Sequence, residues 1–338
     1  MERYSRQILF EGIGEEGQRR LAASRALVVG CGALGSAQVE MLARAGVGRL
    51  RVVDRDFVEE SNLQRQTMFT ERDARERSPK AVAAARRVAE INSEVGCEPE
   101  VADVNQSNAE RLVGGCDVVL DGTDNFATRF LVNDACVKLG VPWVYGAAVG
   151  SYGVTMTIRP HATPCLRCVF SEVPPAGSAP TCDTAGVIMP VISIVAAVQV
   201  AEAFKLLTAK FENLHGGLMQ FDVWRNEWRR ISAGARAPDC PACALGRFES
   251  LEAEAGDLAT VLCGRDAVQV TPRGAAALDL DALAARLSAA GEVKANEYLV
   301  RLRAGGYELT VFRDARAIVR GTDDAAVARS VYARYVGT

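Results

Sequence analysis

The fold is decided by residues 26–35, which read ALVVGCGALG. An apolar run ends in a cluster of glycines (Gly30, Gly32 and Gly35), an apolar-periodic segment follows, and a second apolar run ends on Asp54. This order predicts a strand, a glycine turn, a helix and a second strand that closes with an acid. Glycines let the backbone approach a phosphate, a helix N-terminus attracts an anion, and the acid can reach a ribose hydroxyl. The stretch therefore predicts a nucleotide site, although the glycine motif alone can also mark only a tight turn.

The composition narrows the class of protein. The chain has 338 residues, 49% of them hydrophobic, and a net charge of -3, which argues against a general nucleic-acid binder. The polar N-terminus resembles no secretion signal, and the most apolar segment, 187–198, is too short to cross a bilayer and indicates a buried helix. The ten cysteines then indicate reduced thiols, a metal site or catalysis. We expect a cytoplasmic protein that contacts neither membrane nor nucleic acid.

Strand and helix patterns alternate up to about residue 150, which predicts an α/β fold with a doubly wound, Rossmann-like, mostly parallel sheet. From Gly153 the pattern changes to strands alone, including a hairpin about Arg225 and Asn226, so antiparallel strands should extend the sheet. Asp54 and Asp124 each follow the end of a predicted strand. The two acids should therefore line one crevice.

The chain is expected to contain two domains. Residues 1–248 form the large domain, the Glu- and Ala-rich residues 249–257 form a linker, and residues 258–338 form a small α+β domain. The small domain has no evident catalytic residue apart from Cys263, which is as well explained as a buried apolar side chain. Its role is not apparent from its sequence.

Two CxxC pairs are the strongest single signal of a metal. They supply four thiolates, enough for a closed tetrahedral zinc site of structural type, from Cys165, Cys168, Cys240 and Cys243. The alternatives are four unligated buried thiols or a redox pair.

Charged residues beyond the glycine turn give a second signal. Attack at the α-phosphorus of a triphosphate requires cations that neutralise the phosphates and a carboxylate that holds Mg²⁺. Arg65 and Lys80 are candidate cations, and Asp124 is the candidate metal ligand, since the chain lacks a Walker A motif. Each alone could also be a solvated charge or a helix cap, and Arg129 is expected to be a surface or pairing residue.

These residues together resemble the MoeB/ThiF/HesA adenylyltransferases, the bacterial relatives of ubiquitin-activating enzymes. The resemblance covers residues 2–247 with the motifs in the family's order: residues 3–7, 30–35, Asp54, 61–66, Lys80, 123–126 and the two CxxC pairs. It implies that ATP adenylates the C-terminal glycine of a small ubiquitin-fold sulfur-carrier protein of MoaD or ThiS type, which ends in Gly-Gly. The acyl-adenylate then accepts sulfur, which implies a sulfurtransferase as a further partner.

The resemblance also implies a role for each matching residue. It assigns the nucleotide to residues of the glycine turn, the acid after the second strand and the polar loop that follows: Gly30, Gly32, Ala33, Gly35, Asp54, Ser61, Asn62, Leu63, Gln64 and Arg65. Lys80 joins Asn62 and Arg65 at the phosphates, Asp124 binds Mg²⁺, and Asn125 lies beside it. The family often has a glycine in place of Ala33, and the extra methyl group should be tolerated.

Three further roles are implied. Arg6 would reach the phosphates of a neighbouring subunit, which requires a homodimer. The CxxC cysteines would hold Zn²⁺. Cys182, on a Pro-, Gly- and Ser-rich crossover segment, would handle sulfur or form a covalent carrier adduct, although Asp183 beside it should raise rather than lower its pKa and it could be an incidental thiol.

Three rival functions stay open at this stage. A tRNA-modifying dehydratase on the same fold would adenylate a small carboxylate. An NAD-dependent dehydrogenase would use the glycine turn and Asp54 but would not explain Arg65, Lys80 and the CxxC pairs together. A non-catalytic scaffold would bind a ubiquitin-fold partner without chemistry.

Overall fold

The computed structural model describes residues 2–171, 185–252, 258–262, 266–272 and 277–337. The chain divides into two compact units, Met1–Ala253 and Glu254–Thr338. The first unit is a mixed sheet covered by helices, and the second is a small antiparallel sheet with two helices. The predicted α/β class, with a small C-terminal α+β domain, is confirmed.

Eight strands are described in the first unit. They are β1 (Arg25–Val29), β2 (Arg49–Val53), β3 (Gly96–Glu100), β4 (Val118–Asp121), β5 (Trp143–Val149), β6 (Tyr152–Ile158), β7 (Leu218–Asp222) and β8 (Glu227–Ile231). Their order in the sheet is β3-β2-β1-β4-β5-β6-β7-β8. The first five in that order pair in parallel, and β6, β7 and β8 add to the β5 edge in antiparallel fashion. The predicted extension of a parallel sheet by antiparallel strands is therefore confirmed.

Ten α-helices are described in this unit. They are α1 (Ser5–Ile8), α2 (Gly14–Ala23), α3 (Ala33–Ala45), α4 (Glu71–Glu76), α5 (Lys80–Ile91), α6 (Ala109–Val113), α7 (Phe126–Leu139), α8 (Leu166–Val169), α9 (Met189–Leu207) and α10 (Glu249–Glu252). Helices α3, α5 and α9 share apolar cores on one face of the sheet, and α6 and α7 cover the other face. Strand β1 is buried between these layers because both faces of a parallel sheet are covered by helices.

Helix α9 is, in the part of the chain that the structure describes, the one helix long and apolar enough to span a bilayer. Its apolar residues pack into two of the cores of the first unit, and its polar Gln199 and Glu202 are also fully buried. Such a helix is explained by burial inside the protein. The expectation of a buried helix from residue 187 onward is thus met, with the helix beginning at Met189.

The strand order places a crevice at the carboxyl ends of β1, β2 and β4. The chain reverses direction across the sheet at β1, which lies between β2 and β4, and this is where ligands bind in open α/β sheets. The last residues of these strands are in register, since Val29 pairs with Val53 on one side and Asp121 on the other. Gly30, Asp54 and Gly122 follow directly, so the loops that they begin meet at one edge of the sheet.

The described residues of the second unit form six strands and two helices. They are β9 (Leu258–Leu262), β10 (Ala267–Thr271), α11 (Leu280–Leu287), β11 (Glu292–Ala295), β12 (Leu299–Ala304), β13 (Tyr307–Phe312), β14 (Ala317–Arg320) and α12 (Ala325–Tyr335). The strands pair in antiparallel fashion in the order β11-β12-β13-β14-β10-β9. Both helices pack on one core with alternate residues of four strands, such as Val268, Leu309 and Val319.

The segment predicted as a linker, 249–257, begins with a helix instead. Residues Glu249–Glu252 form α10, which packs on α7 within the first unit, and the backbone N–H of Ser250 donates to Oδ2 of Asp134 at 3.0 Å. These residues are ordered because the buried Asp134 accepts this hydrogen bond from α10. Amino-acid composition alone cannot predict such a contact between distant segments.

Candidate functional site

The glycine turn after β1 depends on two close backbone approaches. Gly30 has φ of +82°, and its N–H donates to the carbonyl of Val53 at 2.8 Å. A Cβ on Gly35 would lie 1.8 Å from the carbonyl oxygen of Gly30, so only glycine fits there. A Cβ on Gly32 would meet its nearest neighbour, the carbonyl oxygen of Gly122, at 4.0 Å. Gly30 and Gly35 therefore shape the turn, while Gly32 faces open space.

Helix α3 begins at Ala33, so its first backbone N–H groups adjoin the open space beside Gly32. Its N-cap residue, Gly32, has no side chain, and within the described residues no side chain caps the helix. The first amides of a helix lack partners within the helix and carry partial positive charge. This helix end is consequently suited to an anion such as a phosphate.

Asp54 fastens the glycine turn to the loop after β2. Its Oδ2 accepts from the backbone N–H of Cys31 and its Oδ1 from that of Asp56, each at 2.6 Å. Burial raises the pKa of Asp54, and the charge of Lys80 and the two backbone N–H groups act in the opposite direction. The structure thus gives Asp54 a role in the loop itself, and its contact with a ribose stays a prediction.

Lys80 lies at the start of α5, beside the same loop. Its side chain is almost fully buried, and Nζ lies 3.3 Å from Oδ2 of Asp56. The Lys80 backbone N–H also donates to the carbonyl oxygen of Asp56 at 2.9 Å. Because Asp56 follows Asp54 closely, the structure brings the predicted Lys80 and Asp54 into one group.

The polar loop 61–66 contains the other predicted phosphate ligands. Ser61 and Asn62 lie in a 3-10 turn, Glu60–Asn62, and Oδ1 of the buried Asn62 accepts from the backbone N–H of Glu59 at 3.1 Å. Nη1 of Arg65 donates to the carbonyl oxygen of Ser61 at 2.8 Å, which is a local contact. Leu63 and Gln64 continue the turn. The loop is therefore compact, and its contact with Ser61 holds the Arg65 guanidinium within the loop itself.

Asp124 and Asn125 lie in the loop between β4 and α7. Asp124 is exposed, and Nδ2 of Asn125 lies 3.4 Å from its Oδ1. Oδ1 of Asn125 is the N-cap acceptor of α7, since it takes the backbone N–H of Thr128 at 2.8 Å. An exposed carboxylate at the crevice edge suits a hydrated cation such as Mg²⁺. Asn125 serves the helix, and its contact with a ligand stays a prediction.

A buried ion pair lies beneath this loop. Nε of Arg129, in the first turn of α7, donates to Oδ2 of Asp121 at 3.0 Å, and both side chains are almost fully buried. Burial disfavours the charged guanidinium, yet the carboxylates of Asp121 and Asp124 and the hydrogen bond to Asp121 raise the pKa of Arg129. The expected pairing role of Arg129 is met, although its burial was not anticipated. An acid at the end of a buried strand, followed by an arginine one helical turn into the next helix, is the signal that could have identified it.

The four CxxC thiols lie together at the other side of the first unit. The Sγ–Sγ distances are 3.9 Å for Cys165–Cys168, 3.6 Å for Cys165–Cys240 and 3.4 Å for Cys168–Cys243, and all four sulfurs lie within 4.8 Å of one another. A zinc tetrahedron with Zn–S bonds of about 2.3 Å has S–S edges of about 3.8 Å. The four sulfurs therefore fit a closed tetrahedral metal site.

The backbone around the thiols is held by neighbouring polar groups. Oδ1 of Asn133, on α7, accepts the backbone N–H of Leu166 at 2.9 Å, and Nη2 of Arg236 donates to the carbonyl oxygen of Cys243 at 2.6 Å. Burial and the three neighbouring thiols raise the pKa of Cys165 far above its usual range. A bound cation reverses this effect because it stabilises thiolates, so the cluster favours metal over free thiolate.

The remaining predicted site residues are Arg6 and Cys182. Arg6 is exposed on α1, and the structure does not bring it to the crevice of its own chain. Cys182 lies outside the described residues, as does Cys263.

Comparisons with known proteins agree with this geometry. A model of the ThiF family matches residues 4–242. The chain is 47% identical over 337 residues to the sulfur carrier protein ThiS adenylyltransferase of Bacillus subtilis, with 99% of each chain covered. It is 43% identical over 252 residues to the SAMP-activating enzyme E1 of Haloferax volcanii, which covers 75% of this chain and 92% of that one.

Among solved structures, MccB of E. coli superposes with a TM-score of 0.64 at 23% identity, over 72% of this chain and 74% of that one. At this identity the likeness concerns the fold alone. The family match spans the crevice and three of the four clustered cysteines, Cys165, Cys168 and Cys240, and the resemblance noted from the motifs is confirmed. The chain belongs to the ThiF family.

Proposed function

We propose that this protein is an ATP-dependent adenylyltransferase that acts on the C-terminal glycine of a small ubiquitin-fold sulfur-carrier protein. The observation that carries the proposal is the 47% identity, over 99% of both chains, to an adenylyltransferase named for the carrier ThiS. That match includes the second unit, so it concerns the whole chain. We therefore favour a ThiS-like carrier that ends in Gly-Gly over a MoaD-like one.

The crevice would supply the groups that adenylation requires. The amides at the start of α3 at Ala33, with Lys80 and Arg65, would neutralise the triphosphate, and Asn62 would contact it. Asp54 would accept the ribose hydroxyl with the remaining lone pairs of its two oxygens. Asp124 would hold Mg²⁺, whose charge would offset that of the phosphates.

The reaction itself needs little proton transfer. The carrier's terminal carboxylate is already ionised at neutral pH, so no general base is required for its attack at the α-phosphorus. The new bond joins a carboxylate oxygen to the α-phosphorus, and the bond to the bridging oxygen breaks to release pyrophosphate. This chain would supply position and charge, as in other phosphoryl-group reactions.

Several finer roles belong to the same proposal. Arg6, exposed on α1, would complete the crevice of a second copy in a homodimer. The Cys165–Cys168–Cys240–Cys243 cluster would hold a structural Zn²⁺. Cys182 would take part in sulfur handling with a sulfurtransferase partner. The use of ATP and the free thiols of the eight described cysteines support a cytoplasmic location.

Pyrophosphate exchange tests the proposal. Purified protein with Mg²⁺, ATP, labelled pyrophosphate and a Gly-Gly-ending carrier should form labelled ATP, and omission of the carrier should abolish the label. Exchange that depends on tRNA or a small acid would select the dehydratase, NAD reduction would select the dehydrogenase, and carrier binding without exchange would select the scaffold.

The variant Asp124→Ala separates folding from chemistry. Because Asp124 is exposed and contributes to no core, the variant should keep its melting temperature and lose exchange. Full exchange activity in the folded variant would refute the metal role of Asp124.

A further inference from the structure

The loop that carries Asp124 is fixed from beneath at one residue. Asp121 ends β4, Arg129 lies in the first turn of α7, and the loop Gly122–Asn125 joins them. Oδ1 of Asp121 accepts both the backbone N–H of Thr123, at 2.9 Å, and its hydroxyl, at 2.7 Å. Nη2 of Arg129 donates to the carbonyl oxygen of Thr123 at 2.7 Å. The residue before Asp124 is thus held at its amide, its hydroxyl and its carbonyl group.

The same ion pair is anchored to the neighbouring strand. Nη2 of Arg129 also donates to the carbonyl oxygen of Gly146 at 3.1 Å, and the backbone N–H of Gly146 lies 3.3 Å from Oδ2 of Asp121. The guanidinium carbon lies 5.3 Å from the ring centres of Phe126 and Tyr145. The Arg129–Asp121 pair therefore fixes the position of the loop relative to the sheet.

The backbone of Asp121 itself is held from the opposite layer. Its carbonyl oxygen accepts Nε2 of Gln38, on α3, at 2.9 Å and Nε2 of Gln199, on α9, at 3.0 Å. Both glutamines are fully buried. Helices α3 and α9 thus fix the residue on which the loop rests.

Asp124 has much weaker support of its own. Its side chain is exposed, and among the residues that the structure describes it is held by the 3.4 Å contact with Asn125. Its direction is consequently set by the backbone on either side, where Thr123 is held by the ion pair and Asn125 by the cap of α7. A carboxylate that holds a cation loses affinity when its backbone can rotate away.

We propose that Arg129, paired with Asp121, is a positioning residue that sets the backbone of Thr123 so that the Asp124 carboxylate faces the nucleotide's metal ion. Arg129 is buried, so it would act on the metal site through the backbone of Thr123 and not by direct contact. The inference rests on the proposed function, since it requires a cation at Asp124. It goes beyond that function by naming the group that prepares this carboxylate.

The chemistry of the guanidinium group explains why arginine is suited to position 129. Arginine presents several donors in a rigid planar fork, and here they reach a carboxylate and two carbonyl oxygens in different directions. A lysine keeps the charge but concentrates its donors on one atom. Arg129→Lys should therefore preserve the ion pair with Asp121 while releasing Thr123.

The molecule offers a matched control on the same helix. Asp134, nearer the other end of α7, forms an equally buried ion pair with Arg167 at 3.0 Å, far from the loop of Asp124 along the helix. Asp134→Asn should lower the melting temperature at least as much as Arg129→Lys. It should leave the loop of Asp124 unchanged.

Mn²⁺ is the probe, measured by electron paramagnetic resonance with a non-hydrolysable ATP analogue and the full-length chain. We expect Mn²⁺ to bind Arg129→Lys at least tenfold more weakly than the unaltered protein and to bind Asp134→Asn within twofold of it. Hydrogen exchange at residues 121–125 should rise in Arg129→Lys alone. Mn²⁺ affinity within twofold of normal in folded Arg129→Lys would overturn the inference.

A milder variant covers the case in which Arg129→Lys does not fold. Thr123→Val removes the hydroxyl bond to Asp121 and keeps the volume, and it should weaken Mn²⁺ about threefold; normal affinity would overturn the inference. If Asp124→Ala binds Mn²⁺ as the unaltered protein does, the proposed metal role fails and this inference fails with it. If Asp124→Ala loses Mn²⁺ while Arg129→Lys retains it, only the present inference fails.

Discussion

Nζ of Lys80 lies 3.3 Å from Oδ2 of Asp56, and the backbones of the same two residues are joined by a 2.9 Å hydrogen bond. The ammonium group is therefore held in the crevice by a fixed carboxylate before any nucleotide arrives. A buried cation that is already oriented loses little entropy when it binds a phosphate.

Lys80→Met should lower the rate of pyrophosphate exchange by about 10²- to 10³-fold, as expected for the loss of one well-placed charge at a transferring phosphorus. Lys138→Met is the control, because Lys138 pairs with Glu110 at an exposed position and should leave exchange unchanged. Equal exchange by both variants would remove Lys80 from the site.

A methyl group added at Gly35 should lower stability, whereas one added at Gly32 should weaken ATP binding. Gly35→Ala would place Cβ 1.8 Å from the carbonyl oxygen of Gly30, so the turn must open, at a cost of about 3 kcal/mol or more. For a domain of this size that corresponds to a melting temperature lower by roughly 6–12 °C. Gly32→Ala, with 4.0 Å of clearance, should fold normally but bind ATP more weakly, because its methyl group faces the anion site. Scanning calorimetry and titration calorimetry separate the two outcomes, and equal melting temperatures for both variants would contradict the geometry.

Removal of metal should destabilise the first unit more than it weakens ATP binding. The thiols of Cys165 and Cys240 come from segments 75 residues apart, and a bound ion would hold them together. Loss of a structural metal should cost at least about 3 kcal/mol and lower the melting temperature by roughly 6–12 °C.

The measurement compares the protein before and after chelation, with its zinc content determined by atomic absorption. Cys240→Ser should reproduce the effect of chelation, while Cys97→Ser, outside the cluster, should not. A metal-free protein that melts at the same temperature would argue against the site.

His215 should make stability depend on pH. Burial lowers its pKa below 6.5, although Glu202 acts in the opposite direction and Lys205 and Arg230 reinforce the lowering. Its Nε2 lies 3.5 Å from Glu202, and its Nδ1 is buried. Because the unfolded chain takes up a proton at higher pH than the folded one, stability should be complete above about pH 7 and fall as pH drops below 6.5.

The effect can be isolated because the chain has only two histidines. His215→Gln, which can still donate to Glu202, should flatten the change in melting temperature between pH 7 and pH 5.5. An identical pH profile in the unaltered protein and the variant would show that His215 does not titrate in this window.

The fold could be predicted from the sequence because its determinants are local. Apolar runs that end in glycine or in Asp54 mark the parallel strands, and the hairpin about Asn226, whose φ is +57°, marks the antiparallel extension. The meeting of the CxxC pairs followed from ligand chemistry, which acts over any distance in sequence. The ThiF-family resemblance rested on the same local motifs.

The parts that escaped prediction depend on burial across elements. The spacing of Asp121 and Arg129 can suggest their pairing, but nothing near Arg129 in sequence indicates that Gly146, on another strand, accepts from its guanidinium. The sequence likewise did not indicate that both oxygens of Asp54 accept backbone N–H groups that only the folded turn presents, and its contact with a ribose stays a prediction. The role of Asn125 as the cap of α7 was also not anticipated, and its contact with a ligand stays a prediction.

The two CxxC pairs enclose most of the antiparallel half of the sheet and the long helix α9 between them in sequence. With a metal bound, this part of the polypeptide is a closed ring. A single proteolytic cut between Cys168 and Cys240 would then open the ring while the metal still joins the two pieces, in addition to the pairing of β6 with β7. Nicked protein should therefore separate into fragments at a lower denaturant concentration once the metal is withdrawn.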